Sequence, residues 1–64
     1  MNLSPRQRRI IVELTARGSC SSAQLQEALG ENVRNIQREL RDLLSKGAIV
    51  AEGATSNRMY RLAK

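Results

Sequence analysis

The side chains of this chain that could do chemistry crowd into one stretch, "ENVRNIQRELRDLLSKG", residues 31 to 47. Arg34, Asn35, Gln37, Arg38 and Arg41 stand close together in it. Arginine offers a planar fork of donors that fits guanine O6 and N7 or a pair of phosphate oxygens. An Asn or Gln amide sets a donor beside an acceptor, the complement of adenine N6 and N7. This is the chemistry of recognition. Catalysis has no equivalent set: histidine is absent, the six acids are scattered singly, and Cys20 is the only cysteine. Neither a nucleophile with its base nor a metal cluster can be assembled, so no enzyme activity, cofactor or metal is expected.

The same stretch also fits a plain solvated helix, because Arg38 with Asp42 and Asp42 with Lys46 lie at i, i+4. Such pairs contribute only about 0.2–0.5 kcal/mol each, too little to keep Arg38 from another partner. Composition weighs on the side of a partner. The 64 residues carry 11 Lys and Arg against 6 Asp and Glu, a net charge of +5, with a pI near 10.7. A basic surface favours a polyanion, since each Lys or Arg placed on phosphate releases counterions. A chain this short holds one domain with one modest core. Tyr60 is the only aromatic, so Leu, Ile, Val, Met and Ala must build that core, which favours helices. The single cysteine excludes an internal disulfide and points to a reducing compartment; in "GSCSS" it reads as a small buried residue. No apolar run has signal-peptide or membrane-span length, so a cytoplasmic protein with no membrane partner is expected, nucleoid-associated if prokaryotic.

The elements that position these residues follow from capping signals and periodicity. Ser4 at N-cap, Pro5 at the first helical position and Gln7 three residues after the cap open a first helix of about residues 5–17. Gln7, Ile10, Ile11 and Leu14 form its inward stripe, Arg6, Arg9, Glu13 and Arg17 point elsewhere, and Gly18 ends it as a left-handed cap. Ser21 and Gln24 repeat the capping box, opening a short helix of about 22–29 with Leu25, Ala28 and Leu29 inward and Gly30 after it. Asn32 caps a third helix of about 33–46, whose stripe Val33, Ile36, Leu40, Leu43 and Leu44 runs to Gly47. Beyond Gly47 the period becomes alternating, "AIVAE", "GATSN", "RMYRLA", which predicts a hairpin over about 48–63. Ile49, Ala51, Tyr60 and Leu62 are expected to close over the helices, with Val50, Met59 and Arg61 facing out or toward an edge. Cys20 is placed to add a short third strand at one edge of the hairpin.

Three helices and a hairpin in this order and at this length resemble a winged helix-turn-helix domain, an α+β fold that is mainly α. Helix, three-residue turn, helix is the helix-turn-helix connectivity. The stretch "SSAQLQEALGENVRNIQRELRDLLSKGAI" resembles the DeoR-type segment of bacterial and archaeal transcription regulators at Leu29, Gly30, Ile36, Gln37, Arg38, Glu39, Leu40, Lys46, Gly47 and Ile49. The closing "RMYRL" is similar to a last wing strand. The resemblance implies sequence-specific double-stranded DNA binding, with helix 3 in the major groove and the wing on backbone or minor groove. It also implies a structural role for Glu39. The chain departs from that pattern in carrying Asn32 where Ser is common and Glu31 just before it, an acid that suits a helix N-terminus but repels phosphate. The sugar-phosphate effector domain of that family is absent from the sequence, so a detached domain or a free-standing small regulator is expected. A homodimer, or a covalently attached effector or dimerisation domain, would supply the further contacts that specificity ordinarily calls for.

On this reading Arg34, Asn35 and Arg38 face base edges, Gln37 follows, and Arg41 lies nearer a phosphate. Wing residues Ser56, Asn57 and Arg58 suit phosphate or minor groove, although Gly, Thr, Ser and Asn are also what a hairpin loop needs. Phosphate contacts are open to Ser21 and Ser22 at the start of helix 2, and to Arg6, Arg8 and Arg9. Two other readings compete. A protein-interaction winged helix within a larger assembly predicts an exposed apolar patch, for instance Val12, Val50 and Met59. A Z-alpha type domain, which recognises the left-handed duplex, would use Gln37, Arg38 and Tyr60, but its paired wing prolines are missing from "GATSNRMY".

Overall fold

The computed structural model of the chain describes residues 3–53 and 57–63. Its elements are α1 (Pro5–Arg17), α2 (Ser22–Leu29), α3 (Val33–Lys46), β1 (Ile49–Glu52) and β2 (Met59–Leu62). This is the expected architecture, three helices followed by a two-stranded antiparallel hairpin. The helix bounds follow from their caps. Ser4 Oγ accepts from the Gln7 N–H at 3.1 Å while Gln7 Oε1 accepts from the Ser4 N–H at 3.2 Å. Ser21 and Gln24 repeat this at 3.2 and 2.9 Å, and Asn32 Oδ1 accepts from the Asn35 N–H at 2.9 Å. Each cap contributes about 1 kcal/mol. Gly18 closes α1 with φ +88° and ψ −51°, a positive φ as expected but outside the left-handed helical well.

One core joins every element except the far end of the hairpin. Ile10 and Leu14 from α1, Leu25 and Leu29 from α2, Ile36, Leu40 and Leu43 from α3 and Ile49 from β1 are buried around Cys20. Burying one such aliphatic side chain stabilises the fold by about 1.5–3 kcal/mol. Two expected core positions lie outside it. Val33 is 43% exposed, because it sits one turn before Ile36 and about 60° round the helix from it. Ala51 is exposed although Tyr60, its partner across the hairpin, is half-buried. Burial falls along β1 from Ile49 to Glu52 as the strand leaves the helices. Val50, Met59 and Arg61 are half-buried, the last with its guanidinium on Glu52 at 2.8 Å.

The strands pair with Ile49 opposite Leu62 and Glu52 opposite Met59. Cys20 adds to the open side of β2 as a single bridge rather than a strand. Its N–H donates to Tyr60 O at 3.0 Å and its carbonyl accepts from the Tyr60 N–H at 2.8 Å. The hairpin is thereby fixed against the turn between α1 and α2. Among the described residues, no helix is long and apolar enough to cross a membrane.

Candidate nucleic-acid interface

Successive residues on a helix are about 100° apart, and this divides α3 into faces with different chemistry. Ile36, Leu40 and Leu43 point into the core. Asn35, Glu39, Asp42 and Lys46 form one flank, and the start of α1 holds it. Arg6 Nη1 donates to Glu39 Oε2 at 3.0 Å, and Arg6 Nη2 lies 3.3 Å from Glu31 Oε1. The same Glu31 oxygen accepts from Asn35 Nδ2 at 3.2 Å. One turn further along, the buried Gln7 donates from Nε2 to Asp42 Oδ2 at 2.6 Å, and its Oε1 accepts from Lys46 Nζ at 3.3 Å. Lys46 closes this second cluster on Asp42 at 2.9 Å.

The ionisation of these groups follows their partners. Hydrogen bonds to Glu39 and then Glu31 raise the Arg6 pKa further. The Asn35 amide, then Arg6, hold the Glu31 carboxyl below the usual carboxylate range, with Arg9 adding a smaller effect. Lys46, then Gln7, do the same for Asp42. Burial raises the thiol of Cys20.

The face of α3 opposite the core carries Arg34, Arg38 and Arg41, all exposed. With Gln37 they line a shallow cleft. Gln37 and Arg41 also wall a second cleft, completed by Leu40, Leu44, Arg58 and Tyr60, so the arginine face of α3 runs on to the base of the hairpin. Ion pairing elsewhere leaves these arginines uncompensated. Glu13 is held by Arg17, Glu52 by Arg61, Asp42 by Lys46, and both Glu31 and Glu39 by Arg6. Arg34, Arg38, Arg41 and Arg58 form no ion pair with an acid among the described residues, and neither does Arg8 on α1, while Arg9 acts on Glu31 only from beyond ion-pair distance. Fixed cations on a concave surface, next to an amide and a tyrosine, can bind closely spaced anionic oxygens and the polar edges of planar rings.

The structure thus brings Arg34, Gln37, Arg38, Arg41 and Arg58 together. Asn35 stands apart from them on the α1 flank, half-buried, with its amide on Glu31. Arg6, expected among the phosphate contacts, instead neutralises Glu31 and Glu39 and ties α1 to α3. Arg9 is exposed near Glu31, Asn57 is exposed beside Arg58, and Ser21 and Ser22 are half-buried at the start of α2. Ser56 lies outside the described residues. Tyr60 packs against the core as expected and also walls the cleft, two residues after Arg58 on the returning strand. Glu31, the acid expected to repel phosphate, faces Arg6 and Asn35 with its charge compensated.

No family model matches the chain, and no curated protein matches its sequence. Among solved structures, a possible transcriptional regulatory protein from Mycobacterium bovis, determined as its fragment 1–100, is similar to 95% of this chain with a TM-score of 0.83 and 26% identity. The chain spans 64% of that fragment's length.

Proposed function

We propose that the chain is a sequence-specific double-stranded DNA-binding module of transcription regulation. In this reading it is a winged helix-turn-helix of the DeoR type, with α3 in the major groove and the hairpin as a wing on backbone or minor groove. The observation that carries it is the sorting of charge: Glu13, Glu31, Glu39, Asp42 and Glu52 are held in ion pairs away from the outward face of α3, leaving Arg34, Arg38 and Arg41 on that face and Arg58 at the hairpin unpaired. The likeness to a regulator fragment supports the same reading. So does the lack of an apolar patch: the exposed large hydrophobics among the described residues are Val12 and Val33, on different helices. A homodimer, or linkage to an effector domain, would supply the second half-site contact.

A salt titration of duplex binding tests this. If the four arginines meet phosphate or groove, the log–log slope of affinity against salt is about −3 to −4, and affinity falls roughly a hundredfold between 50 and 200 mM. A protein-interaction module gives no binding even at the lower salt, and that result would overturn the proposal. A left-handed duplex as competitor distinguishes Z-form recognition.

A further inference from the structure

The amide of Asn35 is not free to choose which way round it stands. Its Nδ2 faces Glu31 Oε1 at 3.2 Å, and Arg6 Nη2 holds that same oxygen at 3.3 Å. A carboxylate only accepts hydrogen bonds and a guanidinium only donates them. The run Glu39, Arg6, Glu31 therefore leaves one orientation for the amide, with its nitrogen toward Glu31 and its oxygen away. Glu31 is firmly ionised at neutral pH, since Asn35 and Arg6 both lower its pKa. The residue itself is anchored in the first turn of α3, where its backbone N–H donates to Asn32 Oδ1. No donor reaches Asn35 Oδ1 among the described residues. Arg6 Nε is buried there without a partner, whereas Asn35 Oδ1 keeps some contact with solvent.

We infer that Glu31, held by Arg6, is a positioning residue for base reading: it makes Asn35 present a hydrogen-bond acceptor at the edge of the α3 surface. In the major groove adenine N6 and cytosine N4 donate, whereas guanine O6 and N7 and thymine O4 accept. On the strand that Asn35 faces, adenine or cytosine, which donates to the fixed oxygen, is preferred over guanine or thymine. The inference rests on the DNA-binding reading above. It gives Glu31 a task that simple neutralisation of Arg6 would not, and the two differ in what a glutamine at position 31 does. A glutamine amide can donate or accept, so Glu31→Gln frees the Asn35 amide to turn round.

The test is binding-site selection from random duplexes, followed by competition titrations, on the whole chain and three variants. Asn35→Ala marks the base pair that Asn35 faces, and Arg38→Ala marks a different one. In the unsubstituted chain the marked base is adenine or cytosine, preferred at least about fivefold, the lower end of what one good base contact is worth. In Glu31→Gln that preference falls to within about twofold while the position marked by Arg38→Ala keeps its own. A guanine or thymine at the marked position overturns the inference. So does a Glu31→Gln profile that shifts by one common factor for every duplex, the outcome of charge removal alone; either result leaves DNA binding intact. Absence of duplex binding by the unsubstituted chain overturns both readings. The free protein supplies a readout that needs no variant to fold: the Asn35 side-chain amide resonances follow the acid titration of Glu31. Resonances indifferent to it overturn the inference.

Discussion

Gln7 shows how one polar side chain can belong to two structures at once. It is 3% exposed, its Oε1 accepts from the Ser4 N–H and from Lys46, and its Nε2 donates to Asp42. A cap of α1 is thus also a clamp on α3, and these hydrogen bonds offset the cost of burying the amide. The neighbouring Arg6 repeats the arrangement with Glu31 and Glu39. Both clusters rest on carboxylates whose pKa is lowered in the fold. A depressed pKa contributes stability above the unfolded carboxylate range, near pH 4, which is lost as pH falls through the folded value. Thermal melts between pH 5 and pH 2 should therefore show the melting temperature falling with acid, and falling less steeply in Asp42→Asn. Parallel curves would show that Asp42 titrates alike in both states. The pair Asp42 and Lys46 was legible from i, i+4 spacing, and the burial of Gln7 from its place in the apolar stripe of α1. Links from Arg6 to Glu31 and Glu39 were not legible, because no spacing rule says which flank of one helix meets which flank of another.

At the scale of elements, capping chemistry made the helix bounds readable in advance. Serine with a glutamine three residues on, and glycine after the last apolar position, each correspond to a hydrogen bond or a positive φ in the structure. The faces of α3 were less readable, since order along the helix grouped Asn35 with Arg34 and Arg38 and set Arg41 apart from them. The helix is divided by face instead. Asn35 and Asp42, from opposite halves, share the flank toward α1, while Arg34, Arg38 and Arg41 share the outward face along about two turns. On the DNA-binding proposal Arg41 therefore counts as fully as Arg34 does. Arg41→Ala should weaken duplex binding at 100 mM salt about as much as Arg34→Ala, roughly three- to tenfold each, and lower the salt slope by about one. Fluorescence anisotropy at several salt concentrations measures both quantities. An Arg41→Ala variant with undiminished affinity would restrict contact to the first half of the helix. The hairpin shows the limit of alternation as a guide: it placed Ile49 inside correctly, but Ala51 lies beyond the reach of the helices that would cover it.

At the scale of the molecule, nine buried apolar residues among the described ones, within a radius of gyration of 10.4 Å, make a small core. Domains of this size are marginal in stability, and their parts need not come loose together. The bridge between Cys20 and Tyr60 is where that difference becomes measurable. More than half of the chain lies between its two ends, so forming it closes a long loop, at an entropic cost that local helix contacts avoid. The thiol of Cys20 is fully buried beside it and its pKa is raised, so a thiol reagent reacts only after this joint opens. Cys20 is in effect a clock for the undocking of the hairpin, with the helices as a separate reference. Labelling of the thiol in native buffer should outrun the exchange of the slowest α3 amides, because the hairpin lifts away before the three helices part. Equal rates would mean that helices and hairpin open as one unit.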